Sequence, residues 1–201
     1  QVIETLLAAF VITRDESYLS AAQLSANAFY IPVDDGGVTI FSADQGAWFE
    51  EYAKQNTTHP QVLNGHNFAL LGLQRLLHFD CSYSDIYDQG ILALESFLPR
   101  FDVGVWSRYD LLKYMANPKY HRIHIEQLNK LGGDNNNDVL MKYARKFTMQ
   151  KVVPIGAIYR LIFYPHNSLV IVFSLNTLFF LVACLVVGFI RTQIMENYGK
   201  G

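Results

Sequence analysis

Cysteine is scarce: the 201 residues include only Cys81 and Cys184. No C-x-x-C or comparable spacing occurs, so nothing in the sequence calls for a thiolate metal centre or another cofactor. Cys184 falls in an apolar run read below as membrane-embedded. A disulfide to Cys81 is therefore not expected, and the cysteine count leaves the redox compartment open. An excess of charge is also lacking. Sixteen Lys and Arg against 18 Asp and Glu leave a net charge of −2, so no basic field marks a nucleic-acid partner. The first residue is Gln1, and no charged segment followed by a short apolar core opens the chain, so no signal peptide is read. From this start, the chain is expected to be the back part of something longer. What it does have is aromatic side chains: 14 Phe, 12 Tyr and two Trp in a chain that is 51% hydrophobic. That content fits a large core, a sugar-binding cleft or both.

Polar groups are densest in residues 99–128, PRFDVGVWSRYDLLKYMANPKYHRIHIEQL. Arg108 and Asp110 flank Tyr109, and His121, Arg122 and His124 follow Tyr120. Phenol and imidazole suit proton transfer, and a guanidinium suits holding a carboxylate or sulfate. The competing reading is a solvated helix start with aromatic packing. His121 and His124 lie three apart and so share a helix face, where structural hydrogen bonding is the commoner role. No third ligand is spaced for zinc.

The flanking segments read mainly as helix. Val2–Val11 is apolar nearly all round, which predicts a buried helix. After the polar break Arg14-Asp15-Glu16, Asp15 can cap a second helix over 16–28, giving an αα-hairpin. Residues 31–33 and 38–41, around Asp34-Asp35-Gly36-Gly37, read as a β-hairpin. The run 46–52, GAWFEEY, sets two carboxylates between aromatics, either as an exposed strand edge or as a cleft lip carrying an acid and a phenol. Helices follow over about 64–79 and, capped by Ser82 or Ser84, up to Leu98, where Pro99 ends the second. Pro118 suits the first turn of a helix through Leu128. Residues 132–138, GGDNNND, read as a turn or flexible loop, and a basic segment comes next.

Residues 168–190 are 23 positions without a charge, which predicts one transmembrane helix. On this reading 132–167 is a linker and juxtamembrane segment, Tyr159, Tyr164 and His166 sit near one interface, and 191–201 is a short tail. Basic residues tie across the span and leave its orientation open. The triplet Asn56-Thr57-Thr58 is a glycosylation sequon and favours a lumenal domain.

Four pieces, GAWFEEY at 46–52, VLNGHNFALLGL at 62–73, D-x-G-x-W-S-R-Y-D-L at 102–111 and YHRIHIEQL at 120–128, resemble in order and spacing the C-terminal region of the D-glucuronyl C5-epimerase family. These enzymes invert glucuronate to iduronate in heparan-type chains. The resemblance covers roughly residues 2–131. It implies an α/α helical barrel (toroid) fragment with a small β-hairpin insertion, after a β-rich domain upstream. It implies an isomerase of the heparosan-N-sulfate-glucuronate 5-epimerase type with no cofactor, acting on an anionic, heparosan-like polysaccharide. Tyr109, Tyr120 and Tyr52 carry over as proton-transfer tyrosines and Glu51 as a cleft carboxylate. Arg108, His121, Arg122, His124, Asn64 and Trp106 are the expected substrate-binding residues. Animal members resemble Y-D-L-R-H after the first central tyrosine, whereas Leu112 and Lys113 stand here in place of the Arg-His pair, so Arg108 or Arg122 is expected to supply the guanidinium. With the apolar run, the resemblance predicts a single-pass membrane protein, in the Golgi with a lumenal domain if the source is eukaryotic, and a homodimer is the assembly to test. Two other readings stand beside it: a uronate polysaccharide lyase, which begins with the same proton abstraction, and a membrane-tethered glycan-binding domain without turnover.

Overall fold

The structure is a computed structural model that describes residues 1–152, 158, 162 and 174–188. The chain divides into two units, 1–156 and 157–201, and every interaction described below belongs to the first. That unit is mainly helical. Helix α1 (Val2–Thr13) and helix α2 (Glu16–Asn27) pack side by side across a two-residue joint. Arg14 turns the chain in the left-handed region, and Asp15 caps α2 by accepting from Ser17 N at 2.9 Å, as a short acceptor side chain should. The inward face of α2 is Ala22 and Ala26, both fully buried.

The hairpin forms from different strands than the turn signals suggest. Strand β1 (Thr39–Ser42) pairs antiparallel with β2 (Gly46–Phe49), Thr39 opposite Phe49 and Ser42 opposite Gly46. The turn is therefore 43–45. Asp34-Asp35-Gly36 instead closes a short 3-10 turn, Val33–Asp35, with Gly36 at φ 88°. Tertiary burial decides between the two turns. All four β2 residues are buried, and α4 approaches the strand so closely that a Cβ on Gly90 would lie 2.7 Å from the Phe49 ring.

Helix α3 (Leu63–Leu77) and helix α4 (Ser84–Phe101) supply most of the core, including Leu70, Leu73, Leu94 and Leu98. Pro99 lies inside the last turn of α4 and does not end the helix. A proline there removes one hydrogen bond, which the burial of Phe97, Leu98 and Phe101 offsets. Helix α5 (Pro118–Asp134) begins with Pro118 in its first turn and Asn117 as its cap, Asn117 Oδ1 accepting from Tyr120 N at 2.9 Å. It runs on through Gly132 and Gly133, where a loop was expected, because Gly132 lets helix α6 (Asp138–Val152) close in. A Cβ on Gly132 would lie 3.0 Å from Met141.

His66 joins three of these elements. Its Nδ1 accepts from Phe49 N at 3.0 Å at the end of β2, and its Nε2 donates to Gly90 O at 3.0 Å on α4. Burial pushes the ring's pKa down to about 3, so it stays neutral with one donor and one acceptor nitrogen, both used. The Trp48 indole stacks on it at 4.1 Å.

The transmembrane expectation is overturned. Among the described residues no helix is long and apolar enough to cross a membrane. In the second unit the run of described helical residues is 174–188. The single-pass placement, with the Golgi location built on it, falls with the span. The expectations for 168–173, 189–190, Tyr159, Tyr164, His166 and the 191–201 tail lie outside the described residues.

The His66 bridge gives a direct expectation for stability. Replacing it with Leu leaves the Phe49 amide and Gly90 carbonyl buried without partners, at about 1–3 kcal/mol for each group. Urea unfolding of His66→Leu should show that loss, and an unchanged midpoint would remove the bridge from its structural role.

Candidate active site

β2 runs straight into the site. Glu50 is buried at 6% exposure, and both its carboxylate oxygens accept from Gln61 N, at 3.1 and 3.3 Å. Burial, with a further contribution from Glu51, pushes its pKa up to about 7 despite that bond. Glu51, on the opposite side of the extended chain, is more exposed. Its pKa too is raised by partial burial, while a hydrogen bond from the Tyr52 side chain favours the ionised form. Gly65 in the first turn of α3 makes room for it. A Cβ there would lie 2.6 Å from Glu51 Oε2 and 2.7 Å from Glu51 Cβ.

Tyr109 comes from the irregular segment between α4 and α5. Asp110 folds this segment back by accepting from the Lys113 and Tyr114 amides at 2.7 and 2.8 Å. Leu63 N donates to Tyr109 O at 3.1 Å and Leu111 N to Pro60 O at 2.9 Å, so the tyrosine is tied to the start of α3. Its ring lies against Tyr120, centroids 4.8 Å apart and planes at 60°. Desolvation, a hydrogen bond to Tyr52 and the nearby Glu51 charge together raise the Tyr109 pKa well above the ordinary phenol range, so it holds its proton at neutral pH. Tyr52, itself exposed, thus links Glu51 to Tyr109.

Of these groups Glu50, Glu51 and Tyr120 line a cavity of about 800 Å³. Glu50, Glu51, Asn64, Gly65, Lys119 and Tyr120 supply its polar end and Phe29, Phe49 and Phe68 much of its apolar wall. Asn64 is 5% exposed, and its Oδ1 has no hydrogen-bond partner. Gln127 Nε2 fixes this turn by donating to Asn64 O at 3.1 Å.

The structure therefore brings Tyr52, Tyr109, Tyr120, Glu51 and Asn64 together. It places the other expected residues elsewhere. His121 and His124 are fully buried around Ser107, whose Oγ lies 2.7 and 3.0 Å from their Nδ1 atoms, and His121 Nε2 donates to Phe147 O at 2.9 Å. Burial, then the neighbouring His121, holds the His124 pKa down to about 3. Trp106 stacks on His121 at 3.8 Å and donates Nε1–H to Ala116 O. This cluster fastens the Tyr109 segment to α5 and α6. Arg122 pairs with Glu126 at 3.6 Å on an exposed face. Arg108 is half-buried and does not line the cavity. Glu50 and Lys119 line it without having been singled out. Glu50 directly follows β2, all four of whose residues are buried, so no alternation along the run distinguishes it from Glu51.

The helical unit sets Tyr120, Glu50 and Glu51 at one end of a cavity. The chain belongs to the family described as D-glucuronyl C5-epimerase C-terminus, which matches residues 1–149. It is 35% identical over 152 residues to an uncharacterised protein of Methanocaldococcus jannaschii, covering 72% of this chain and 48% of that one. It is 29% identical over 168 residues to the D-glucuronyl C5-epimerase of Caenorhabditis elegans, covering 72% of this chain and 26% of that protein. The chain thus spans about half the length of the first relative and a quarter of the second.

Two substitutions test this geometry. Gly65→Ala should favour the helix by up to about 1 kcal/mol on propensity alone yet displace Glu51, so thermal stability would hold while any activity of the site falls at least tenfold. Full activity would show that Glu51 needs no such room. Glu50 binds its proton more tightly folded than unfolded, so its ionisation opposes folding. Stability from this group is intact below about pH 4.5 and lost as pH rises through about 7, on the order of 3 kcal/mol. Urea titrations at pH 5 and 8 should show a loss in the parent that Glu50→Gln reduces, and equal losses would place Glu50 in water.

Proposed function

We propose that this chain carries proton-transfer groups of a uronate C5-epimerase acting on a glucuronate-containing glycosaminoglycan of the heparosan type. The observation that carries the reading is Tyr120 and Glu51 at the polar end of one cavity, with the Tyr109 ring in contact with Tyr120 behind it. The family membership supports it.

The C5 hydrogen of a uronate lies next to a carboxylate. Removing it breaks the C5–H bond and sends the electron pair into that carboxylate, which becomes an enediolate and needs nearby donors or a cation. Glu51, which lines the cavity and whose pKa is raised by partial burial, takes that proton. Tyr120, which lines the cavity, returns a proton to the opposite face, forming the new C5–H bond with inverted configuration. Tyr109, kept protonated, stands behind Tyr120 as a reserve donor. Glu51, exposed at its outer side, gives the proton it holds to solvent before the next turnover.

Tyr109→Phe and Tyr120→Phe should each lower deuterium incorporation at uronate C5 by roughly 10²-fold or more, with circular dichroism unchanged. The assay is heparosan or N-sulfoheparosan in heavy water with the full-length protein. Full exchange in both variants would sink the assignment, and an ultraviolet-absorbing unsaturated product would make the protein a lyase.

A further inference from the structure

The reaction proposed above needs a cation against the uronate carboxylate, and the central arginines do not provide one at the cavity. Position 112 is Leu. Arg122 is engaged with Glu126 on an exposed face, and Arg108 does not line the cavity. Among the described lining residues Lys119 has the only basic side chain. It is the second residue of α5, directly before Tyr120, and its Nζ stands 5.9 Å from the Tyr120 ring centroid. No described carboxylate forms an ion pair with it. A second group on a lining residue is unmatched: the buried Asn64 Oδ1 has no hydrogen-bond partner among the described residues.

Together these two groups describe the ligand. A cation at the rim asks for an anion, and a buried bare carbonyl oxygen asks for a hydroxyl. A sugar acid has both. The first turns of α3 and α5 contribute Asn64 and Lys119 respectively, so the positive ends of two helix dipoles add to the field that the anion meets. We propose that Lys119 is the residue that binds the uronate carboxylate, in place of a central arginine, while Asn64 accepts from a ring hydroxyl of the same sugar. Lys119 then acts twice. It neutralises the carboxylate on binding, and it stabilises the added charge when the C5 proton leaves. It also holds the sugar beside Tyr120, the phenol assigned to reprotonation.

This inference rests on the epimerase reading, and its test separates the two. In the full-length protein, Lys119→Met and Lys119→Arg are compared with the parent for C5 deuterium exchange on heparosan. They are also compared for equilibrium binding of heparosan and of heparosan whose carboxyl groups have been reduced to alcohols. Expected is a loss of at least 10²-fold in kcat/KM for Lys119→Met, part of it in kcat, with Lys119→Arg within about tenfold of the parent. The parent should bind the acidic polymer more tightly than the reduced one, and Lys119→Met should bind both alike. Asn64→Leu should weaken both polymers equally, since its partner is a hydroxyl. If Lys119→Met keeps parental kcat/KM, or still prefers the acidic polymer as strongly as the parent, Lys119 does not hold the carboxylate. If the parent shows the binding preference and Lys119→Met abolishes it but neither exchanges C5 hydrogen, the carboxylate site stands and the epimerase reading fails.

Discussion

Two buried backbone groups on different elements depend on one neutral imidazole. Phe49 N–H and Gly90 C=O cannot reach each other, and His66 spans them from α3 with one nitrogen as acceptor and the other as donor. A charged ring would have no acceptor for Phe49, so the site works only because burial keeps the ring neutral. Everything at the polar end of the cavity follows from this joint. Phe49 is the last residue of β2, and Glu50, Glu51 and Tyr52 are the next three. Their positions relative to α3, which carries Asn64 and Gly65, are set by a hydrogen bond from that same helix.

A second joint sets the tyrosines. The Ser107–His121–His124 cluster, with Trp106 stacked on it, holds the segment after α4 against α5 and α6. Backbone bonds from Leu63 to Tyr109 and from Leu111 to Pro60 then bind that segment to the start of α3. Buried imidazoles thus appear twice as connectors between elements, while Glu51 and Tyr120 sit on the cavity side. The division suits their chemistry. A ring fixed by two hydrogen bonds in a dry core is a poor proton carrier, and a phenol or carboxylate near water is a better one.

Local signals were legible in the chain. Asp15 before α2 and Pro118 in the first turn of α5 each act within one or two turns of helix, and each occurs as read. The site tyrosines and Glu51 were legible as motifs. What failed was long-range. Asp34–Gly37 and 43–45 are both competent turns, and only the burial of Gly46–Phe49 against α4 selects between them. Gly132-Gly133 reads as a loop until α6 packs over it. His121 and His124 do share a face, as their spacing required, but which way that face points depends on Ser107 and Phe147, from other elements. For the same reason neither central arginine lines the cavity: Arg122 lies one turn beyond Lys119 on α5, and Arg108 lies on the segment before that helix. The apolar run at 168–190 met a hydropathy criterion for spanning, whereas the described helix there is 174–188.

The exposure of Tyr52 has a consequence for isotope bookkeeping. Tyr52, a residue 57% exposed, acts on the proton affinity of both Glu51 and Tyr109, so a proton passing between those two by way of its hydroxyl meets bulk water midway. A closed relay would hand back to each sugar the hydrogen taken from it, and inversion would leave no trace in the solvent. A relay open at its centre loses that hydrogen to the surroundings and draws its replacement from them. In the proposed reaction, a residue that has passed through the site would therefore carry the solvent's hydrogen whether or not its configuration changed, and label would record visits as well as inversions.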